Sequence, residues 1–154
     1  MKTVAQKIKE LVISVKSELL NLPLDTVYYK SSPVSWSKIE ILGHLIDSAS
    51  NNHQRIVRAV QNIASDFPVY NQNIWVEIQN YNQADWIELV EFFTGYNLHI
   101  ARIIRFVPKE SLTNPCNFGK ENDVPLEFVI SDYLRHLKHH IEKILEPINI
   151  NQTK

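Results

Sequence analysis

Six histidines are the chief chemical resource of this 154-residue chain: His44, His53, His99, His136, His139 and His140. A neutral imidazole offers one nitrogen lone pair, so histidines that meet at one point can hold a transition-metal ion. His136 and His140 are four residues apart. On a helix such residues stack on successive turns with Cβ atoms about 5–6 Å apart, which makes the HxxxH pair a two-pronged clamp by geometry. Two prongs do not complete a site, because a catalytic zinc usually takes three protein ligands and keeps one position for water or substrate. A third donor must come from another segment, and His44, His53 and His99 are the candidates.

Other chemistries are poorly supplied. The chain has three glycines, Gly43, Gly95 and Gly119, dispersed along its length. A phosphate-cradling loop needs several clustered together, so the nucleotide-binding motifs are excluded. Sixteen Lys+Arg against seventeen Asp+Glu leave a net charge of −1, with no basic block to attract nucleic acid or an anionic membrane. The lone Cys116 has no sequence-adjacent activating base and reads as a structural thiol rather than a nucleophile. Trp36, Trp75 and Trp86 read as core rather than as a ligand frame, and Glu40 as a helix cap. Without a second cysteine there is no internal disulfide. A charged N-terminal segment and the lack of an 18-residue apolar run favour the cytoplasm over export or membrane insertion.

The elements that must position the histidines follow from apolar spacing. A first helix spans 3–20, with Val4, Ile8, Leu11, Val15 and Leu19 on one face. A second spans 37–63, opened by Ser37 and Glu40 as a capping box, with Ile39, Leu42, Ile46, Ala49, His53, Val57 and Val60 as its stripe. Residues 64–81 form a long connection whose Phe67, Tyr70, Trp75 and Tyr81 must pack over something. The third helix spans 83–107, with Leu89, Phe92, Phe93, Tyr96, Ile100, Ile103, Ile104 and Val107 as its stripe and Pro108 as its stop. Asn122 or Asp123 caps the fourth, which has Pro125 in its first turn and runs to about residue 146. With no convincing alternating strand, these segments make one all-α domain over 1–154, a four-helix bundle with a long crossover connection.

On the fourth helix, Leu126, Ile130, Leu134, Leu137, Ile141 and Ile144 make the core stripe. His136 and His140 flank it, in line with Val129 and Tyr133, and His139 lies farther toward the polar side. His53 sits on an apolar stripe and His99 flanks one, the usual setting of a hydrogen-bonded core or interface histidine. His44 shares a polar line with Asp47, Ser48, Asn51, Arg55 and Arg58. Spacing alone leaves two readings of that line, a solvated face or the wall of a polar cleft. In the second, Asp47, Ser48 and Asn51 orient ligand rings or substrate, and Arg55 or Arg58 receives a carboxylate. Tyr133 is a further candidate for the cleft.

Three segments, in order, carry a resemblance. They are Trp36-Ser37-x-x-Glu40-Ile41-Leu42-Gly43-His44-Leu45-Ile46-Asp47-Ser48-Ala49, then Tyr70 with Trp75-Val76-x-x-Gln79-x-Tyr81, and finally Asp132-Tyr133-Leu134-Arg135-His136-Leu137-Lys138-His139-His140-Ile141. Together they resemble the DinB-like superfamily of small four-helix metal-binding proteins, which includes the YfiT-type metal hydrolases. The resemblance implies a divalent-metal triad of His44, His136 and His140, with nickel or zinc as the ion. It also implies a homodimer and a small-molecule substrate, with either transfer of a low-molecular-weight thiol to an electrophile or hydrolysis as the reaction. No residue beyond the triad identifies a substrate or a general acid or base. The competing expectation is therefore a bundle that keeps the metal as a sensor or binding module and catalyses nothing.

Overall fold

All four amphipathic stretches are helices in the computed structural model, which describes residues 1–61, 67–118 and 122–148. In chain order the helices are α1 (Lys2–Leu20), α2 (Leu24–Tyr28), α3 (Lys38–Gln61), α4 (Gln72–Gln79), α5 (Trp86–Arg105) and α6 (Leu126–Leu145). Single 3-10 turns lie at Tyr81–Gln83 and Lys109–Thr113. Positions 62 and 63 of the expected second helix, and Gly119, lie outside the described residues.

The bundle consists of α1, α3, α5 and α6. α1 packs on α5 and α6, and α3 packs on the same two helices, so the order around the ring is α1, α5, α3, α6. Successive long helices α1 and α3 thus stand diagonally, as do α5 and α6. Ile8, Val12, Leu19, Ile39, Leu42, Leu45, Phe93, Ile100, Ile104, Leu126, Leu137 and Ile144 fill the middle and are inaccessible to solvent. The fold is the all-α four-helix bundle read from the periodicity.

The capping box forms as expected. The Ser37 amide donates to Glu40 Oε2 at 2.7 Å and the Glu40 amide to Ser37 Oγ at 3.4 Å. Next to it, the buried Lys38 sends its ammonium to the backbone carbonyls of Ile144 and Glu146. A cation on the last carbonyls of a helix satisfies acceptors that have no intrahelical partner. The bond also sets the start of α3 beside the end of α6, so the two helices run antiparallel. His44 and His140 are thereby brought to the same end of the bundle.

Four details differ from the sequence reading. The 64–81 connection contains α4, whose N-cap Asn71 accepts from the amides of Asn73 and Ile74 at 3.0 and 3.2 Å. Its C-cap Asn80 takes the left-handed φ of 49°. Asparagines that read as loop punctuation are the two ends of a short helix. Second, Pro115–Cys116 pairs antiparallel with Val124–Pro125, opposing Pro115 to Pro125 and Cys116 to Val124. Two residues per strand are too few to show alternation.

That pairing holds Pro125 extended, so the last helix starts at Leu126 with Pro125 just before it, and Asp123 accepts from Asn117 at 2.8 Å instead of capping. Fourth, α5 begins at Trp86, after Asp85 accepts the Glu88 amide at 2.9 Å. Its buried arc runs through Trp86, Val90, Phe93, Asn97, Ile100 and Ile104, leaving Phe92 55% exposed.

Candidate metal centre

α3 carries the first of the three converging imidazoles. From Lys38 to Ala49, every residue of α3 except the half-buried Ile41 is buried. The polar line of His44, Asp47 and Ser48 is therefore no solvated face. α3 is covered on that side by α6 and by α4 with its following 3-10 turn, which the periodicity of α3 alone could not reveal.

His44, 1% exposed, meets the two half-buried histidines of α6. One ligand atom from each of His44, His136 and His140 can be chosen so that all lie within 4.8 Å of one another. The Nε2 atoms of His44 and His136 are 3.1 Å apart. The ring centroids are separated by 5.1 Å (His44 to His136), 4.8 Å (His44 to His140) and 4.5 Å (His136 to His140). His139 is exposed and touches only the outer side of the cluster, 5.1 Å from the His140 ring.

The electrostatics suit a metal. Burial, reinforced by the His136 charge, lowers the pKa of His44 to about 4. Burial and the neighbouring His136 and His44 bring His140 to about 3, and burial also lowers His136. All three rings are thus neutral at pH 7, as ligands must be. Nδ1 of His44 and Nδ1 of His140 are buried without a hydrogen-bond partner. Buried polar nitrogens are ordinarily satisfied. Three neutral imidazoles that converge, two of them with an unpartnered Nδ1, are a donor set that fits a divalent ion of the zinc or nickel type.

Surrounding groups hold the rings in place. Ser48 Oγ is 3.3 Å from His136 Nδ1, and Ser48 also bonds the hydroxyl of the half-buried Tyr70. Trp36, half buried, lies 5.0 Å from the His44 ring, so this tryptophan belongs to the site and not to the core. Asp47 Oδ1 accepts from the Tyr81 hydroxyl at 2.7 Å and Gln79 Nε2 at 2.5 Å, fastening the aromatic connection to α3. Burial raises the Asp47 pKa, and those two donors oppose the rise. Gly43 makes this seat possible: a β-carbon there would overlap the Tyr81 ring.

Beside His140 opens a cleft of about 370 Å³, lined by Val34, Trp36, Ile41, Gln72, Asn73, His140 and Lys143. Of the sequence-selected cleft candidates, none is among these lining residues. Asn51 donates to the Asp47 carbonyl at 2.9 Å. Arg55 lies over the Phe118 ring, 4.5 Å from its centroid, and Arg58 is exposed. Tyr133 is 2% exposed between α5 and α6, where its hydroxyl donates to Asn97 Oδ1 at 2.6 Å. A ring so engaged presents no surface to a ligand. Lys143 had one available signal, its three-residue spacing from His140, and Gln72 and Asn73 of α4 had none.

The remaining residues are quieter. His53 Nδ1 pairs with the Tyr96 hydroxyl at 3.2 Å, and His99 is exposed beside it. Trp86 is core, donating to the Leu19 carbonyl at 2.9 Å. Cys116 is fully buried, and burial pushes its thiol up to about 11, so it is protonated and inert. No helix among the described residues is long and apolar enough to cross a membrane.

Residues 15–144 match the DinB superfamily, and the chain belongs to that family. Among solved structures it is similar to YfiT from Bacillus subtilis, described as a probable metal-dependent hydrolase with an unusual four-helix bundle topology. The TM-score is 0.79 at 17% identity, over 92% of this chain and 82% of that one. No curated protein matches the sequence.

Proposed function

We propose that this protein is a metal-dependent enzyme whose His44, His136 and His140 hold a nickel or zinc ion, and that it transfers a low-molecular-weight thiol to a small electrophile or hydrolyses one. The carrying observation is the convergence of three neutral, buried or half-buried imidazoles, two with orphaned nitrogens, beside an open cleft. The description of YfiT as a probable metal-dependent hydrolase supports the same reading.

When bound, the ion supplies Lewis acidity that brings a thiol or a water to its anionic form at neutral pH. The chain's residues do the rest. The three rings stay unprotonated because burial penalises their charge, so their lone pairs remain available. Ser48 fixes the orientation of His136 through its Nδ1, leaving Nε2 toward His44. Trp36 covers His44 and, with Ile41, gives the open cleft an apolar wall. Asp47 acts indirectly, holding Gln79 and Tyr81 so that α4 stays beside the cleft. The working form is a cytoplasmic homodimer.

The test is thiol consumption by untagged protein over a set of cytoplasmic thiols and electrophiles, with metal added and with chelator. The expected result is turnover that chelation abolishes and added nickel or zinc restores. Turnover that ignores chelation overturns the metal mechanism, and silence with a filled site favours a metal-binding module without catalysis.

A further inference from the structure

The charge balance around the cleft is one-sided. Three neutral imidazoles leave the charge of a divalent ion uncompensated, since the ligand set contains no carboxylate. Among the described residues no Asp or Glu lines the cleft either, and the one charged lining residue is Lys143. Lys143 lies three residues beyond His140 on α6, a spacing that puts the two side chains on one face. Both residues line the same cleft.

Among the described residues, no carboxylate pairs with this lysine. The ion pairs among the described residues are Lys16–Glu91, Lys30–Glu40 and Arg135–Asp132. Glu146, just past the end of α6, acts on Lys38. Asp47 accepts from Gln79 and Tyr81 through Oδ1, and its buried Oδ2 has no hydrogen-bond partner among the described residues, Lys143 included. The opposite wall, made by Val34, Trp36 and Ile41, is largely apolar.

We infer that the cleft is an anion subsite, in which Lys143 pairs with a carboxylate of the substrate while the substrate's reacting end reaches the three imidazoles and its carbon skeleton lies on Trp36 and Ile41. The inference rests on the three-histidine metal reading and adds to it the residue that selects the substrate's charge. Neutral substrates of the same size lose the ion pair and leave the cation facing solvent.

Cobalt(II)-loaded, untagged protein provides the test, because a thiolate on cobalt gives a charge-transfer absorption that reports binding without turnover. The probes are 3-mercaptopropionate, which carries a carboxylate, and 2-mercaptoethanol, which does not. The readout is the ratio of their affinities. Lys143→Gln is expected to lower that ratio about two- to fivefold, the worth of an exposed ion pair, with 2-mercaptoethanol binding and cobalt content unchanged. Lys143→Arg is expected to keep the wild-type ratio, and added salt to shrink it. A ratio that Lys143→Gln leaves unaltered overturns the anion subsite while the triad stands. Failure of the wild type to take up cobalt overturns the triad and the subsite with it.

Discussion

α3 carries two histidines with opposite fates, His44 near its start and His53 nine residues later. Nine residues at about 100° each are two and a half turns, so the two side chains leave opposite faces of one helix. His44 is 1% exposed, faces two more imidazoles and has a buried nitrogen without a partner. His53 is half buried, is satisfied by the Tyr96 hydroxyl, and has one imidazole for company, the exposed His99 at 5.3 Å between centroids. A pair of histidines in ring contact is therefore not what distinguishes a metal centre. Enclosure does, because covering the rings with Trp36 and the α4 segment keeps them neutral and leaves lone pairs with nothing else to bind.

The sharpest way to break this contrast is metal content. Untagged protein is expected to hold about one nickel or zinc per chain, and His44→Ala or His136→Ala to lose it. His53→Ala and His99→Ala should keep it. Elemental analysis after gel filtration decides, and unchanged content in the first two variants would sink the site. The same samples run in sedimentation velocity test the homodimer.

Next in size is a pair of glycine substitutions, one beside each region. Gly43→Ala drives a methyl into Tyr81 and is expected to cost about 1–3 kcal/mol in urea unfolding, the range for overpacking. Gly95, next to Tyr96, has open space around its added methyl. Gly95→Ala is expected to gain about 0.5–1 kcal/mol, because it removes the helical cost of glycine. Equal effects at the two sites would deny Gly43 its role in seating the wall.

A smaller effect is expected from Ser48→Ala, which removes the hydroxyl beside His136 Nδ1. Loss of a group that orients a ligand ring typically weakens metal binding about tenfold or more. A competition titration with a chromophoric chelator measures it, and Asn51→Ala, one turn away, serves as the silent control.

The pH response of the metal-free protein separates the regions most finely. His44 and His140 have folded pKa values of about 4 and about 3, below the ordinary 6.5. Between those values the unfolded chain binds protons that the folded chain does not, so stability falls as pH falls. The contribution is whole above pH 6.5 and drains away toward about 4 for His44 and about 3 for His140. Thermal unfolding from pH 7.5 to 4.5 should show a Tm that drops with acidity, more gently in His44→Phe than in the wild type. An equal slope in His44→Phe would show that His44 is not held neutral by its surroundings.

The apolar stripes on α1, α3 and α6 made the long helices and the bundle legible, because a helix with one apolar side has few ways to bury it. Ser37 and Glu40 were readable as a cap for the same local reason. The pairing of His136 with His140 follows from helix periodicity alone. Other features were hidden by being non-local. Phe92 matched the apolar spacing of α5 yet faces solvent, since the neighbouring helices settle on the arc through Val90 and Ile104. Asn71 and Asn80 carried the ends of α4, but eight residues hold too little periodicity to announce a helix.

The sequence by itself determined that imidazole and metal are the available chemistry, that two of the donors share one helix face, and that the chain is an all-α bundle. Those properties depend on residue type and on spacing within one element. Tertiary structure alone decided, from the packing, that the polar line of His44, Asp47 and Ser48 is enclosed rather than wet. It also decided that Tyr133 belongs to the core and that Trp36 and Lys143 stand at the cleft. The physical reason is that burial, and with it ring neutrality and an unpartnered nitrogen, is set by what packs against a helix. On α3 that cover comes from α6 and the α4 segment, distant in sequence and fastened by Lys38 at one end and Asp47 at the other.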